Sequence, residues 1–258
     1  MLLREIIHII ESVAPRSAQE EWDNSGMQIG DTERDIQSVL LTTDVTESVV
    51  GEAMERGCQL IVSHHPLLFH GLKQVCGQTA QARIVEKAIR NNIAIYSAHT
   101  NLDSVEGGIN TRLAEKLGLT DIRLLDPESG LGAIGKLPKV VPYPDFIGQI
   151  RAILNCTYVR YTRPAKEQIQ TVALCGGSGA EFIETAIEQG ADVYLTADCK
   201  YHEFQDADGR IGVIDIDHWI SERHAREIFA GILAPLGVKT YISNNDKTPI
   251  QVWQEQKN

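Results

Sequence analysis

Short apolar runs alternate with longer amphipathic stretches along the first half of the chain. The amphipathic pattern predicts a first helix that ends near Val13, ahead of Pro15. Apolar spacing further predicts a helix with Thr46 as its N-cap that ends at Gly57, and another helix over residues 78–91. The apolar runs that predict buried strands cover residues 38–43, 60–62 and 93–96. Strands and helices that alternate in this way are typical of an α/β fold.

The second half of the chain repeats this alternation after a connecting region. Residues 126–169 hold four prolines and a helix-like stretch over 146–154, and we interpret them as the connection plus the opening strands of the second half. Further strands are predicted over residues 172–175 and 193–195. The helix between them ends at Gly190. The glycine-rich stretch 176–179 follows a strand, as phosphate-binding loops do, but it lacks their motif and is predicted to be a tight turn.

An internal repeat relates the two halves. At a shift of 133 residues the first strand and its helix fall on their counterparts without a gap, with Gly57 on Gly190. At a shift of 119 residues the matched pairs are His99 with His218 and Asp103 with Glu222. Any two strand–helix–strand units share some glycines and valines, but the matched His-x-x-x-acid pairs favour a true duplication. The predicted halves are residues 1–127 and 128–258, with approximate boundaries and terminal elements that can cross over.

Composition excludes several classes of protein. The hydrophobic content of 43% supports a full core, while the net charge of −11 and the lack of a Lys/Arg run argue against extended nucleic acid as a partner. Five cysteines without a Cys-x-x-Cys pair indicate a reducing compartment rather than a disulfide framework. The first helix carries charges within its apolar pattern, and no apolar stretch is long enough to cross a membrane. We therefore expect a cytoplasmic protein.

Side chains that can bind metals lie at the predicted strand ends. In open α/β sheets ligands bind beyond the carboxyl ends of the strands, and imidazole and carboxylate groups are usual ligands of first-row divalent metals. Adjacent side chains diverge in extended backbone, so His64 and His65 favour two metals, or one metal and one supporting contact, over a single ion chelated twice. The candidate set at the strand ends is His64, His65, His99, Asp103, Asp198, His202, His218 and Glu222.

The spacing within each half predicts how these groups converge. His218 and Glu222 lie one helical turn apart, and His99 and Asp103 share that spacing. One carboxylate from each half suggests bridging ligands of a dinuclear centre, which would supply a nucleophilic water near neutral pH. These considerations favour His64, His65, Asp103, His218 and Glu222 as metal ligands and leave the role of His99 open.

Each of these residues also has an interpretation without a metal. His64 and His65 could hydrogen-bond backbone carbonyls at the strand end. Asp103 could cap the following helix, and Glu222 could be a first-turn acid favoured by the helix dipole. His99 could bind a metal or support the ligands by hydrogen bonding.

Other polar residues have weaker signals. Lys200, His202 and His70 could contact substrate or could have a solvated or structural role. His8 and His224 are predicted to lie on helix surfaces.

Eight stretches of the sequence carry a resemblance to a known family. They are Trp-Asp-Asn at 22–24, Thr-Asp-Val-Thr at 43–46, Ser-His-His-Pro-Leu-Leu-Phe at 63–69, Ala-His-Thr-Asn-Leu-Asp at 98–103, Gly-Gly-Ile-Asn at 107–110, Ala-Asp-Val-Tyr-Leu-Thr at 191–196, Lys-Tyr-His at 200–202 and His218-x-x-x-Glu222. Together they resemble the NIF-three-like dinuclear metal-centre proteins, also named the GTP cyclohydrolase I type 2 family, in its short form. Asp217 and Ala197 depart from the pattern, since each stands where the family usually has Gly, and both could reshape the pocket.

The resemblance implies two interlinked α/β domains with mixed sheets flanked by helices, assembled as a ring-shaped homohexamer. It also implies two divalent metal ions per chain, which face an internal cavity and are held at the five predicted ligand positions, usually without His99. Some members of the family are credited with opening the purine ring of GTP. Mixed imidazole and carboxylate ligation admits zinc, iron, manganese or cobalt.

These observations lead to an expected function. We expect a metal-dependent hydrolase of a small, nucleotide-like substrate, in which His202, Lys200 or His99 moves protons or binds the substrate. The alternative is a non-enzymatic metal-binding or scaffold protein, because no residue is an obvious dedicated general base.

Overall fold

The apolar runs of the sequence form the central strands of two mixed β-sheets flanked by helices in the computed structural model, which describes residues 1–253. Its strands are β1 (Gly26–Ile29), β2 (Ser38–Thr42), β3 (Leu60–Ser63), β4 (Ala94–Ser97), β5 (Thr120–Asp126), β6 (Leu131–Pro142), β7 (Arg160–Tyr161), β8 (Gln168–Ser178), β9 (Val193–Ala197), β10 (Gly212–Ile216) and β11 (Lys239–Ile242). Its α-helices are α1 (Leu3–Val13), α2 (Glu47–Glu55), α3 (Ala80–Arg90), α4 (Thr100–Asp103), α5 (Ile109–Lys116), α6 (Tyr143–Leu154), α7 (Ile183–Glu188), α8 (Tyr201–Ala207), α9 (His218–Glu222) and α10 (Ala225–Leu233). The predicted α/β class is confirmed.

The chain divides into two units, and unit 1 is built from two separate segments. Unit 1 comprises Met1–Gly108 and Arg223–Lys247, whereas unit 2 comprises Ile109–Glu222 and the segment that starts at Thr248. Strand β11 lies in the second segment of unit 1 and pairs with β2. The halves 1–127 and 128–258 stay a prediction about the duplication.

Unit 1 contains a five-stranded sheet in the order β1-β4-β3-β2-β11. Strands β4, β3, β2 and β11 are parallel, and β1 pairs antiparallel with β4 at one edge. The central strands are buried on both faces because helices cover them, as their uninterrupted apolar sequences predict. One side of the core is formed by Leu40, Val49, Ile61, Ile84 and Ile95.

Unit 2 contains a six-stranded sheet in the order β5-β6-β8-β9-β10-β7. Strands β8, β9 and β10 are parallel, and β7 pairs antiparallel with β10. Four neighbouring strands therefore repeat the order and direction of unit 1, with β7, β10, β9 and β8 in the places of β1, β4, β3 and β2. This shared topology supports the duplication inferred from the sequence.

Most predicted elements of the first half form within one or two residues of their expected bounds. Helix α1 ends at Val13, and Thr46 caps α2 by accepting a hydrogen bond from the Val49 N–H at 3.2 Å. Helix α2 ends at Glu55, and Gly57 follows it in the left-handed region with φ of 65°. Glycine is favoured there because it has no Cβ to clash in that conformation.

The connecting region contains strand β6, helix α6 and strand β7. Two of its prolines, Pro138 and Pro142, lie within the twelve-residue strand β6. The pairing of β6 with β8 shifts register between Lys136 and Val141, which allows Pro138 to sit where no ladder hydrogen bond is needed. The stretch 176–179 is also more than a turn, because β8 continues through Ser178.

No helix in the described part of the chain is long and apolar enough to cross a membrane.

Candidate metal centre

His64 and His65 follow β3 directly and are positioned by backbone pairing with the end of β2. The His64 N–H donates to the Thr42 carbonyl at 3.2 Å, and the His65 N–H donates to the Thr43 carbonyl at 2.9 Å. The two rings do not diverge as strand alternation predicted, since their centroids lie 5.0 Å apart. The chain bends at both residues, so they are no longer part of the extended strand. One ring nitrogen each of His64, His65 and His99 lies within 4.8 Å of the other two.

The three imidazoles of unit 1 are oriented by acceptors at Nδ1. His64 Nδ1 donates to the Ala98 carbonyl at 2.9 Å. This is the hydrogen bond to a backbone carbonyl that the interpretation without a metal predicted for His64, and it leaves the lone pair of the ring on Nε2. His65 Nδ1 lies 2.8 Å from Asp44 Oδ1, and His99 Nδ1 lies 2.8 Å from Asp23 Oδ1. Because Nδ1 carries the proton in each ring, Nε2 presents a lone pair, which is the tautomer that metal-binding histidines use.

Asp103 supplies a carboxylate beside these rings. It is the last residue of α4, several residues before α5 begins, so it does not cap the following helix as one interpretation allowed. Its Oδ1 lies 3.6 Å from His64 Nε2, a separation too long for a good hydrogen bond. Two ligands of one tetrahedral ion with bonds of ~2.1 Å lie about 3.4 Å apart, so this spacing fits shared coordination.

Asp23 is a functional candidate that the sequence analysis did not single out. Besides His99, it accepts hydrogen bonds at Oδ2 from the Thr100 N–H at 3.1 Å, the Thr100 hydroxyl at 2.6 Å and the Ser25 hydroxyl at 3.0 Å. Burial opposes its ionisation, but the contacts with His99 and Thr100 outweigh burial and hold the pKa of Asp23 well below its usual range. Its only signal in the sequence was the Trp-Asp-Asn stretch.

Unit 2 carries a second imidazole–carboxylate set. His218 and Glu222 are the first and last residues of α9, and His218 Nε2 lies 3.0 Å from Glu222 Oε2. Because it ends the helix, Glu222 is not the first-turn acid that was considered. On the other side of the ring, His218 Nδ1 lies 2.7 Å from Asp198 Oδ2, which also accepts from the Ser178 hydroxyl at 2.7 Å.

The charges around His218 favour a bound cation. Burial lowers the pKa of an imidazole, but the nearby Glu222 and Asp198 carboxylates outweigh burial and raise the pKa of His218 to about 11. The Asp198 pKa is lowered in turn by its hydrogen bond to His218. A divalent ion can take the place of the Nε2 proton in such a setting, because metal binding releases protons from its ligands.

Gly177 leaves the space that the Glu222 carboxylate occupies. A Cβ at this position would lie 2.2 Å from Glu222 Oε1 and 3.3 Å from His218 Nε2. The residue also has φ of 65°, and its N–H donates to the Ser221 hydroxyl at 2.9 Å. The glycine-rich stretch therefore cradles the imidazole–carboxylate set. The donor types and this cradle fit a divalent metal.

The departures from the family pattern also have structural roles. Asp217 is buried, accepts from the Ile220 N–H at 3.2 Å at the start of α9, and accepts from the Thr248 hydroxyl at 2.7 Å. It thus fixes the helix that presents His218. Ala197 is fully buried at the end of β9.

The weaker candidates lie in different settings. Lys200 and His202 are exposed at the start of α8, with the Lys200 N–H donating to Glu203 Oε2 at 2.5 Å. His70 is exposed with its ring centroid 4.9 Å from that of Phe69. His8 is exposed on α1 as predicted, but the prediction for His224 is wrong, because it is 2% exposed before α10. A single sequence does not reveal which histidine of an amphipathic stretch faces the core.

Two mixed α/β units, each with imidazole and carboxylate groups beyond its parallel strands, define the structural class of this protein. The model of the family Duf34/NIF3 (NGG1p interacting factor 3) matches residues 1–249, and the chain belongs to this family. It is 39% identical over 228 residues to a GTP cyclohydrolase 1 type 2 homolog of Clostridium perfringens, which covers 86% of this chain and 87% of that protein.

Two further comparisons agree with this family membership. A GTP cyclohydrolase 1 type 2 homolog of Clostridium acetobutylicum is 32% identical over 260 residues, covering 96% of this chain and 97% of that protein. The crystal structure of a Bacillus cereus protein related to NIF3 superposes with a TM-score of 0.91 at 24% identity. The superposition covers 98% of this chain and 99% of that chain, which shows a shared fold.

Proposed function

We propose that this chain is a divalent-metal-dependent hydrolase with a small, nucleotide-like substrate. The observation that carries the proposal is the convergence of a ring nitrogen each of His64 and His65, which lie within 4.8 Å of each other, with Asp103 Oδ1 3.6 Å from His64 Nε2. Both rings have Nδ1 next to an acceptor, so both present Nε2. An acceptor on one ring nitrogen is the arrangement that orients metal-binding histidines.

The proposed metal content is two divalent ions per chain. His64, His65 and Asp103 are the proposed ligands from unit 1, and His218 and Glu222 are those from unit 2. Imidazole nitrogens and carboxylate oxygens suit zinc, iron, manganese or cobalt. Divalent ions in such sites lower the pKa of water and polarise an electrophile, which is the chemistry that hydrolysis requires.

The chain's own groups would bind the substrate and move protons. His99 is held by Asp23 in the orientation of a general base, since a buried carboxylate on Nδ1 fixes the ring and leaves the lone pair on Nε2. Trp22 and Phe69 flank the His99 ring, with centroids 6.0 and 6.1 Å from it, and limit its contact with water. Lys200 and His202 are exposed and are proposed to contact the substrate.

The substrate class is supported by the family. Relatives named GTP cyclohydrolase 1 type 2 homolog match more than four-fifths of this chain, and their name points to a purine nucleotide. We extend that chemistry to this chain as a proposal, together with a homohexameric assembly. Light scattering of the purified protein is expected to give six times the chain mass of 28.5 kDa.

The deciding experiment combines elemental analysis with a nucleotide screen. The double variant His64→Ala/Glu222→Ala removes one proposed ligand from each unit and is expected to lose most bound metal and all turnover. The variant His8→Ala is the matched control, because His8 is exposed on α1 outside the predicted ligand set. It is expected to keep the metal content and activity of the parent protein.

Three results would change the proposal. Unchanged metal content in the double variant would show that the ligand assignment is wrong. Turnover that persists after loss of all five ligands would refute metal-dependent hydrolysis. Metal bound at the expected ratio without turnover of nucleotides or phosphodiesters would favour the metal-binding scaffold instead.

A further inference from the structure

A groove lined by aromatic and cationic side chains runs beside the edge strand β7 of unit 2. Its volume is about 650 Å³, which lies within the ~300–1,000 Å³ typical of small-molecule sites. We call it the aromatic groove. The lining residues that matter here are Arg160, Tyr161, Arg163, Tyr201, Phe204 and Asp208.

One face of α8 forms the helical wall of the aromatic groove. Tyr201, Phe204 and Asp208, the residue after the last turn of α8, are spaced three and four residues apart and therefore project to the same side. Tyr201 is 74% exposed and Tyr161, on the edge strand β7, is 60% exposed. Two large aromatic side chains left in water around one concavity indicate a surface that a ligand covers.

Two side chains that line the groove, those of Arg160 and Tyr161, are held in place by their own contacts. Arg160 donates two hydrogen bonds to the buried Asp215, at 2.9 and 2.8 Å, and its guanidinium lies 5.1 Å from the Phe204 ring centroid. The Tyr161 ring packs edge-on against Tyr143, with centroids 6.2 Å apart. The Tyr161 ring and the Arg160 guanidinium plane, fixed in this way, form a preorganised part of the stacking surface, which lowers the entropic cost of ligand binding.

The aromatic groove lies at the end of the sheet that carries the second imidazole–carboxylate set. Arg160 on β7 pairs in register with Asp215 on β10. His218 follows Asp215 by three residues along the chain. Tyr201 follows three residues after Asp198, which bonds His218 at 2.7 Å. Strand β10 and residues 198–201 thus connect the groove along the chain to the second imidazole–carboxylate set.

We propose that the aromatic groove binds the planar base of a nucleoside or nucleotide. Nucleobases stack on tyrosine rings and guanidinium planes because every base has a π-face, and that recognition does not require a basic surface. Arg163 pairs with Asp208 and Arg160 with Asp215, so the guanidinium charges are balanced. This balance and the net charge of −11 favour a single base over a nucleic acid strand.

This inference rests on the proposed nucleotide-like substrate, but its test measures binding without turnover. Calorimetry and saturation-transfer NMR with the full chain, before and after EDTA treatment, would use guanosine and ribose 5-phosphate as separate probes. We expect guanosine to bind in both states and ribose 5-phosphate not to compete with it. Tyr201→Leu and Tyr161→Leu are each expected to weaken guanosine binding roughly 5- to 100-fold.

Two further variants separate stacking from damage to the fold. Tyr201→Phe keeps the ring and is expected to retain guanosine binding. Tyr241→Leu removes a tyrosine of unit 1 that also packs against a guanidinium, that of Arg56 at 5.0 Å, and is expected to leave guanosine binding unchanged. Each variant is compared with the parent protein by thermal unfolding.

The outcomes distinguish this inference from the proposed function. Equal guanosine binding by parent and Tyr201→Leu, no guanosine binding, or binding of ribose 5-phosphate alone would overturn the base-binding groove. Guanosine binding that Tyr201→Leu abolishes, in a protein that hydrolyses no nucleotide, would leave the groove and refute the hydrolase. Nucleotide turnover with an unchanged KM in Tyr201→Leu would leave the hydrolase and refute the groove.

Discussion

Gly177 shows how a single missing Cβ shapes the candidate metal centre. Substituting it with Ala combines two costs, because its φ of 65° is unfavourable for an L-residue and the Cβ would lie 2.2 Å from Glu222 Oε1. The left-handed conformation costs roughly 1–2 kcal/mol. The clash displaces the carboxylate itself. We therefore expect Gly177→Ala to lower stability and also to reduce bound metal, as measured by elemental analysis.

Gly57 offers a matched control for this prediction. It has the same φ of 65°, but a Cβ there would meet nothing within 4 Å. Gly57→Ala is expected to lower the melting temperature through backbone strain while leaving metal content intact. Equal metal content in both alanine variants would mean that the Glu222 carboxylate is not a ligand held in the Gly177 cradle.

Residue types were easier to predict than their partners. The sequence singled out His64, His65, His99 and Asp103 because imidazoles and acids clustered at predicted strand ends, and the structure brings His64, His65 and His99 together. It did not indicate that Asp23 bonds to His99, because the two residues are 76 positions apart and Asp23 lies in an irregular loop. Such pairing depends on tertiary packing, which local periodicity does not encode.

At the scale of elements, each unit contains a hydrogen-bond pattern equivalent to one in the other unit, in addition to the common strand order. Gln59 Oε1 accepts from the N–H groups of Gln37 and Ser38, at 2.9 and 3.0 Å, and clamps the start of β2. Asp192 stands 133 residues further on, and its Oδ2 accepts from Gln170 and Thr171 at 2.9 Å each. Conservation of this clamp at the same shift is difficult to explain by chance similarity of α/β units.

The sheet registers refine the second shift of the repeat. Leu60 pairs with Ala94 in unit 1, and Val193 pairs with Gly212 in unit 2. These pairs relate β4 to β10 by 118 residues, whereas His99 and His218 differ by 119. The second copy thus has one extra residue between strand and histidine, at the position of Asp217. Sequence matching could not show it, because strands carry similar apolar residues at neighbouring positions.

The clamp of β8 gives a pH-dependent prediction. Burial disfavours ionised Asp192, but hydrogen bonds from Lys166, Thr171 and Gln170 outweigh burial and lower the pKa of Asp192. Its stabilising effect is therefore present above the unfolded pKa of about 3.9 and is lost as pH falls through the folded pKa. Asp192→Asn keeps an acceptor oxygen but removes the charge, and is expected to cost about 1 kcal/mol at pH 7.

Urea unfolding at several pH values would test this prediction. The cost of Asp192→Asn is expected to shrink as pH falls below about 4, whereas Gln59→Ala in the equivalent clamp is expected to cost a similar amount at every pH. A pH-independent cost for Asp192→Asn would show that the Asp192 charge does not stabilise the clamp.

At the scale of the whole molecule, unit 1 is completed by the segment Arg223–Lys247, which follows all of the main part of unit 2 along the chain. Strand β11 pairs with β2, and Asp246 accepts from the Thr43 N–H at 2.7 Å, beside the strand end that leads to His65. Glu52 on α2 accepts from the Ser243 hydroxyl at 2.7 Å and from the Asn244 and Asn245 N–H groups. The sequence did not indicate which residues hold this segment.

Glu52→Gln tests whether this buried carboxylate holds the returning segment in place. Burial raises the pKa of Glu52, but bonds from Ser243, Asn244 and Asn245 and the Arg56 charge outweigh it, so the pKa is lowered overall. The stabilisation is present above the unfolded pKa of about 4.3 and disappears as pH falls through the folded pKa. We expect Glu52→Gln to cost about 2–3 kcal/mol at pH 7, because hydrogen bonds to an ionised acceptor are replaced by weaker ones.

Amide hydrogen exchange of β11 is expected to accelerate more than that of β9, since β11 belongs to the anchored segment. Glu55→Gln is the control, because Glu55 is exposed on the same helix and loses the same charge. Equal exchange rates for β11 in the two variants would show that the returning segment is held by strand pairing alone.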